Sequence, residues 1–477
     1  MGKGVIESEE NIEKTNSSLL KNKALKTSIR EGSGAAYASG TTISYAAPYA
    51  LALGATNSEI GFLSAIPALL NPIAQFVSSR LMEKFHRKNI VTLFVFLQAI
   101  TFLPLAVIGI MSYLNLASTI LVYSFISFYT LLSVFGGLSY PPWFSWMGDL
   151  TNQKERGKYF ARRNRALGLL EILGMLTGLI LLDKFKTIPA LIGFSTLFFL
   201  AFLSKTYSFY IIRKQYIPIG IKRKHEHIAL KEFLTNNKTF NKFAFYNLFF
   251  NLSVFIASPF FTVYMLDKSQ LNLNYFWFIM ISIAGAIFNL LFLKLVGKFS
   301  DVHGNTKLLV ASNLLFALNP LLWIVIKNPF GLIFVQLISG LANASFVIGF
   351  NNFSYNALEQ KYRGIGIAYI AILSGIGAFL GPLLGGAILT YFAIPISKFV
   401  FLFIIAAILR FLISILFLPS ISENKRENRD HYVNIAHPIK VVHYELNALN
   451  YFVHYLEKEE SQSLKVLKPL KKNVLRK

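Results

Sequence analysis

The sequence predicts an all-α, polytopic membrane protein with twelve transmembrane helices in two sets of six and both termini cytoplasmic. Three observations carry that reading. Of 477 residues, 54% are hydrophobic and only 15% charged, with a mean hydropathy of +0.51. That is too little charge to cover a soluble chain of this size, where about 25% is usual. Second, the apolar residues fall into twelve runs of the roughly 20 residues that a helix needs to cross about 30 Å of hydrocarbon. Third, the basic residues crowd into every second connection.

The first 32 residues are polar and charged. They hold no short apolar run before a small-residue cleavage site, so no cleaved signal peptide is expected. Met1-Gly2 lacks a Ser or Thr at position 6, which speaks against myristoylation. The first six spans are predicted over 33–54, 59–79, 89–111, 116–141, 165–183 and 188–211, giving a domain 33–211. A polar, basic linker follows at 212–240. The second six are predicted over 241–266, 273–298, 306–326, 331–354, 365–391 and 397–419, giving a domain 241–419, and a basic tail runs over 420–477.

Lys and Arg number 47 against 23 Asp and Glu, a formal net charge of +24. In a soluble chain that excess would suggest nucleic acid. Here 40 of the 47 lie on or beside the N-terminal segment, the even-numbered connections and the tail. The odd-numbered connections hold only Lys184, Lys186, Lys268, Lys327 and Lys398. This asymmetry places both termini in the cytoplasm and removes nucleic acid as a partner. The partners expected are the bilayer of the cell membrane and a small-molecule substrate, with the chain acting as a monomer. Cys is absent, which excludes disulfides and thiolate metal sites. The eight His fall in polar connections or the tail, so no metal and no cofactor is expected.

The two sets of six repeat one another. Glu83 between spans 2 and 3 matches Asp301 between spans 8 and 9, an offset of 218. Arg156-Gly157 after span 4 matches Arg363-Gly364 after span 10, an offset of 207, and Pro48 matches Pro259, an offset of 211. Equal span number and equal orientation make this a parallel repeat, the arrangement of two halves rocking about a site near the bilayer midplane.

With these residues in view, the chain from about 33 to 419 resembles the major facilitator superfamily of transporters. Its hallmark, Gly-x-x-x-Asp-(Arg/Lys)-x-Gly-(Arg/Lys)-(Arg/Lys) between spans 2 and 3, is kept better in the second copy, with Gly297, Asp301, Gly304 and Lys307. The first copy departs from it: Ser79 replaces the first Gly, Glu83 the Asp and His86 the second Gly, while Lys84, Arg87 and Lys88 keep the basic end. The resemblance implies gating roles for Glu83, Arg87, Asp301, Gly304 and Lys307. The stretches Trp143–Asp149 and Ser258–Leu266 also resemble bacterial and archaeal members. Gly377, Gly381, Pro382, Gly385 and Gly386 in span 11 resemble a glycine-proline pattern of antiporters. That pattern belongs in span 5, however, so this copy reads as close helix packing.

Charges within the bilayer are costly and mark function. Three lie well inside spans: Glu171, Lys294 and Arg410. The sharpest expectation is that Glu171 and Lys294 form an ion pair between the halves that closes the cytoplasmic gate. Against it stands Glu171 pairing with Arg163 or Arg165 while Lys294 snorkels to the interface. Arg410, in a span that is usually peripheral in this fold, has no carboxylate at its depth.

In the family, spans 1, 4, 7 and 10 line the cavity. Their central parts here carry no charge. What they and their neighbours offer are phenols and amides: Tyr45, Tyr49, Asn71, Gln75, Tyr129, Tyr246, Asn247, Asn251, Asn289 and Asn343. Such groups suit a neutral or amphipathic solute, and they serve equally well as bonds between helices. The expected activity is secondary active or facilitative transport by alternating access, with no enzymatic chemistry. The alternatives are proton-coupled multidrug efflux through Glu171, and a non-transporting membrane sensor or polytopic membrane enzyme. In the tail, Val442, Leu446, Leu449, Phe452, Val453 and Leu456 recur at roughly helical spacing. They suit a helix lying on an anionic leaflet or a solvated extension.

Overall fold

A computed structural model describes residues 2–115, 118–151, 156–184, 189–218, 238–358, 363–393, 395–421, 447 and 449–457. These residues are helical almost throughout, and none of them forms a strand. The helices are α1 (Gly2–Thr42), α2 (Ala46–Ala52), α3 (Asn57–Lys84), α4 (Arg87–Tyr113), α5 (Ser118–Leu150), α6 (Arg156–Lys184) and α7 (Ala190–Arg213). They continue with α8 (Lys238–Phe255), α9 (Ser258–Leu266), α10 (Tyr275–His303), α11 (Asn305–Val325), α12 (Pro329–Asn356), α13 (Arg363–Tyr391) and α14 (Lys398–Phe417).

Eleven helical stretches among the described residues are long and apolar enough to cross a membrane, α8 and α9 together forming one of them. They correspond to the predicted spans 2–12. The predicted span 1 is divided. Its chain leaves α1 at Thr42, turns through Ile43–Tyr45 and resumes in α2. The linker 212–240 and the tail 420–477 fall largely outside the described residues.

The helix ends follow local chemistry. Thr56 starts α3 with a capping box: its hydroxyl accepts from the Glu59 N–H, while the Glu59 carboxylate accepts from the Thr56 N–H at 2.7 Å. Asn328 caps α12, accepting from the Gly331 N–H at 2.6 Å, and Pro329 occupies the first turn, where its missing donor costs nothing. Span 7 breaks at Ile256–Ala257. Pro259 has no N–H with which to continue the ladder, so α8 stops at Phe255 and α9 starts anew.

The chain divides into two compact units. The first comprises Met1–His227, Ser258–Ile279 and Ala378–Phe392, and the second Ile228–Ala257, Met280–Gly377 and Ala393–Lys477. The division therefore passes through spans 7, 8 and 11 rather than following the two sets of six throughout. Several glycines of the first unit sit at close helix contacts. A Cβ on Gly40 would collide with the Glu171 carbonyl, one on Gly174 would lie 2.6 Å from the Tyr37 carbonyl, and one on Gly178 would strike the Tyr45 ring. Small residues thus bring α1 and α6 into close approach. The same unit joins the start of α3 to the end of α13. Gly61 lies against the Pro382 carbonyl, Gly386 against Asn57, and the Ser58 and Thr390 hydroxyls are 2.9 Å apart. The span 11 glycines at 377 and 386 are packing residues, Gly377 lying against Leu248 in the second unit. That unit has an aromatic-rich core in which Tyr246 stacks on Phe243 and Phe250, which in turn meet Phe353 and Phe316.

Candidate functional site

The two predicted gating turns differ in backbone. Gly304, between α10 and α11, has φ +87° and ψ 161°, a conformation that residues other than glycine rarely adopt. At the matching place in the first copy His86 has φ −65° and ψ 131°, open to any residue. The departure from the family pattern at position 86 therefore costs no strain. Arg87 forms an ion pair and hydrogen bond with Asp149 at the end of α5. Glu83 and Asp301, the matched carboxylates, are both exposed. Asp149 ends the stretch Trp143–Asp149, but that it meets Arg87 is a fact of packing and not of spacing.

Lys307 places its ammonium 5.5 Å from the centre of the Tyr451 ring, so the second turn is met by the tail. Residues 449–457 are helical, and Phe452, 1% exposed, packs edge-on against Phe299 at 4.9 Å among Val296, Leu308, Ala311 and Leu341. His303 stacks on Phe299 at 4.5 Å and faces Tyr455 at 5.6 Å. Phe452 and Leu456 of the expected apolar face thus meet protein rather than lipid. Val442, Leu446 and the distal lysines lie outside the described residues.

Glu171 and Lys294 are exposed, Glu171 on the first unit and Lys294 on the second. Arg163 does not serve Glu171. Its guanidinium lies 3.7 Å from the Glu31 carboxylate and 4.5 Å over the Trp143 ring. A Cβ on Gly32 would come within 2.6 Å of it, so a larger residue there would have to push the guanidinium aside. Burial pushes the Glu31 carboxyl above its ordinary range, with the positive charges of Arg163 and Lys205 opposing. Lys205 falls within the span predicted at 188–211. The structure places it within α7, half-buried and close enough to act on Glu31. A carboxylate and two cations so far apart along the chain leave no local signature.

The cavity candidates separate by environment. Tyr45 and Tyr49 are fully buried: the first donates to the Met175 carbonyl at 2.5 Å, and the second to the Leu105 carbonyl at 3.0 Å while stacking on Phe194. Tyr246 is fully buried too and donates to Asn313 at 2.9 Å. Tyr129 is half-buried and stacks on Phe125 at 6.0 Å. The amides form two small networks. In the first unit Asn71 donates to the Ser133 carbonyl at 2.8 Å and accepts from Gln75 at 2.7 Å. In the second, Asn247 donates to Ser374, and Asn251 donates to the Asn247 carbonyl at 2.7 Å. Asn343 is exposed and donates to the Ser339 carbonyl at 2.9 Å, and the buried Asn289 side-chain oxygen has no hydrogen-bond donor. Every member of both networks is neutral.

The Major Facilitator Superfamily model matches residues 32–298 and 280–468. The chain belongs to the major facilitator superfamily. It is a multi-pass membrane transporter and not an enzyme. Similar solved structures, all of superfamily type, include the nucleoside transporter NupG, at 15% identity and a TM-score of 0.63, covering 84% of this chain and 99% of that one. A bacterial homologue of the iron transporter ferroportin in an inward-facing state has 13% identity and a TM-score of 0.64, covering 84% and 98%. A bacterial homologue of the human lysosomal transporter Spinster, inward-facing and occupied, has 13% identity and a TM-score of 0.61, covering 85% and 99%. At these identities the likeness is one of fold. No curated protein sequence matches the chain.

Arg410 of this superfamily member resolves differently from the other intramembrane charges. It is 2% exposed and donates Nε to the Ser253 carbonyl at 3.1 Å, Nη1 to the Phe316 carbonyl at 2.8 Å and Nη2 to the Val254 carbonyl at 3.1 Å. Ser253 and Val254 lie in the last turn of α8, just before the break. Phe316 precedes Pro320 by four residues within α11, and a proline at that position removes the donor its carbonyl would otherwise meet. Among the described residues no carboxylate pairs with Arg410, which instead serves backbone acceptors that two interrupted helices leave over.

Proposed function

We propose that this transporter moves a neutral or amphipathic small molecule by alternating access in the cell membrane, as a monomer with both termini cytoplasmic. Residues 33–42 of α1 together with α2 supply the twelfth crossing. The observation that carries the substrate class is the chemistry of the two amide networks. Asn71 with Gln75 and Ser133, and Asn247 with Asn251 and Ser374, offer donors and acceptors without charge. The three tyrosines buried in helix packing leave the solute to these amides, Tyr129, Asn289 and Asn343. Support for a gated cycle comes from the first unit, where Gly61 and Gly386 seal the odd-connection end of α3 against α13. Two fold relatives solved in inward-facing states share the architecture.

A thermal-shift screen in detergent should draw its hits from uncharged solutes, nucleosides and sugars among them. Counterflow of each hit in proteoliposomes then tests transport. Hits confined to charged solutes would overturn the substrate class, and a ligand that binds but shows no counterflow would make the protein a sensor. Glu171 and Lys294 are proposed to pair in one state of the cycle. Reversing both charges should restore transport lost in either single reversal, and failure to do so removes the pair. Repeating uptake with and without a proton gradient, in wild type and Glu171→Gln, decides between facilitated transport and proton-coupled efflux.

A further inference from the structure

The outer face of the first unit carries a groove of about 440 Å³ where α4 and α7 run side by side, lined by Lys88, Asn89, Thr92, Leu93, Phe96, Phe209 and Arg213. Lys88 lies in the first turn of α4 and Arg213 is the last residue of α7, so both cations stand at the ends of membrane-crossing helices. That is headgroup level. Leu93 and Phe96 lie five and eight residues further in, about 8 and 12 Å deeper at 1.5 Å per residue. They are 52% and 40% exposed. Phe96 and Phe209 close the floor with ring centroids 5.0 Å apart.

The cations are held in place. The Lys88 ammonium donates to the Gln215 carbonyl at 3.0 Å, keeping two further donors, and the exposed Arg213 guanidinium rests 5.5 Å over the Phe209 ring with its N–H edge open. No carboxylate lines the groove among the described residues. Two fixed positive charges above an apolar, aromatic-floored channel match an anionic headgroup with an acyl chain beneath it. We propose that this groove binds one anionic phospholipid: the phosphodiester sits between Lys88 and Arg213, and an acyl chain runs along Leu93 and Phe96. A zwitterionic lipid places its own cation against theirs and binds less well.

Native mass spectrometry of the full-length protein in detergent, titrated with phosphatidylglycerol, tests this. One tightly retained lipid is expected, with phosphatidylcholine held at least several-fold more weakly. Because each interfacial cation contributes roughly a fivefold gain in affinity, Arg213→Gln should weaken retention about fivefold and Arg213→Lys should restore most of it. Arg213 is exposed, so neither variant threatens folding, which size exclusion verifies. Free glycerophosphate and inorganic phosphate should not displace the lipid. The proposal is overturned if phosphatidylcholine binds equally, if Arg213→Gln changes nothing, or if the free phosphates compete as well as the lipid does, which would make this a plain anion site.

Discussion

Replacing Arg410 by Met keeps much of the side chain's volume and removes all of its donors. Counting the carbonyls of Ser253 and Phe316 alone, two buried acceptors lose their partner, at about 1–3 kcal/mol each. Part of this is returned, because a guanidinium without a carboxylate is costly to bury. A net loss of about 2–4 kcal/mol remains, and at roughly 2 °C per kcal/mol the melting temperature should fall by about 4–8 °C. Arg410→Lys keeps the charge but cannot fork to acceptors on two helices at once, so it should recover less than half. Thermal unfolding followed by size exclusion in detergent gives the comparison. A second arm isolates the cause. Pro320→Ala restores the N–H that faces the Phe316 carbonyl, so Arg410→Met should cost about 1–2 kcal/mol less in that background than in the wild type. If Arg410→Met melts at the wild-type temperature, or if the two substitutions are strictly additive, the carbonyl-clamp reasoning fails.

Three further outcomes follow from other parts of the molecule. Gly304→Ala forces a side chain into φ +87° and should cost about 1–3 kcal/mol, whereas His86→Ala, at φ −65°, should leave the melting temperature within about 1 °C. Glu31 has a folded-state pKa above the ordinary 4.5, so its protonated form favours the fold. That contribution is full below pH 4.5 and is lost as pH rises through the elevated value. Wild type should therefore gain stability relative to Glu31→Gln on acidification, and parallel melting curves against pH would refute the assignment. Phe452→Ala removes the ring buried against Phe299 and should speed tryptic cleavage of the tail several-fold. An unchanged digestion rate would show that the tail is held by other contacts.

Much of the architecture was legible in the sequence because its signals are local. A run of some twenty apolar residues is a span wherever it occurs, and the Gly304 turn is written in consecutive residues. Predicted spans 2–12 consequently match α3–α14. Span 1 reads as continuous because hydropathy does not register the turn at 43–45. The site was harder, for a different reason. In a bilayer both the buried and the lipid-facing sides of a helix are apolar, so a phenol such as Tyr45 or Tyr49 carries no mark of which way it faces. The partners of Arg410 are main-chain carbonyls, which every residue possesses. The clue was indirect: Pro259 and Pro320 mark places where carbonyls are left over, and a buried arginine is a natural claimant. Asp149 and Glu31 find their cations across long stretches of chain that spacing cannot fold.

The contrast between the turns at His86 and Gly304 bears on what each position can tolerate. Position 304 suits glycine alone, whereas position 86 accepts almost any residue and holds an imidazole where its counterpart has no side chain at all. Tolerance at matched positions is then set by backbone conformation as much as by role. A pattern kept at one turn and relaxed at the other can reflect nothing more than which turn bends into the region where glycine alone is comfortable.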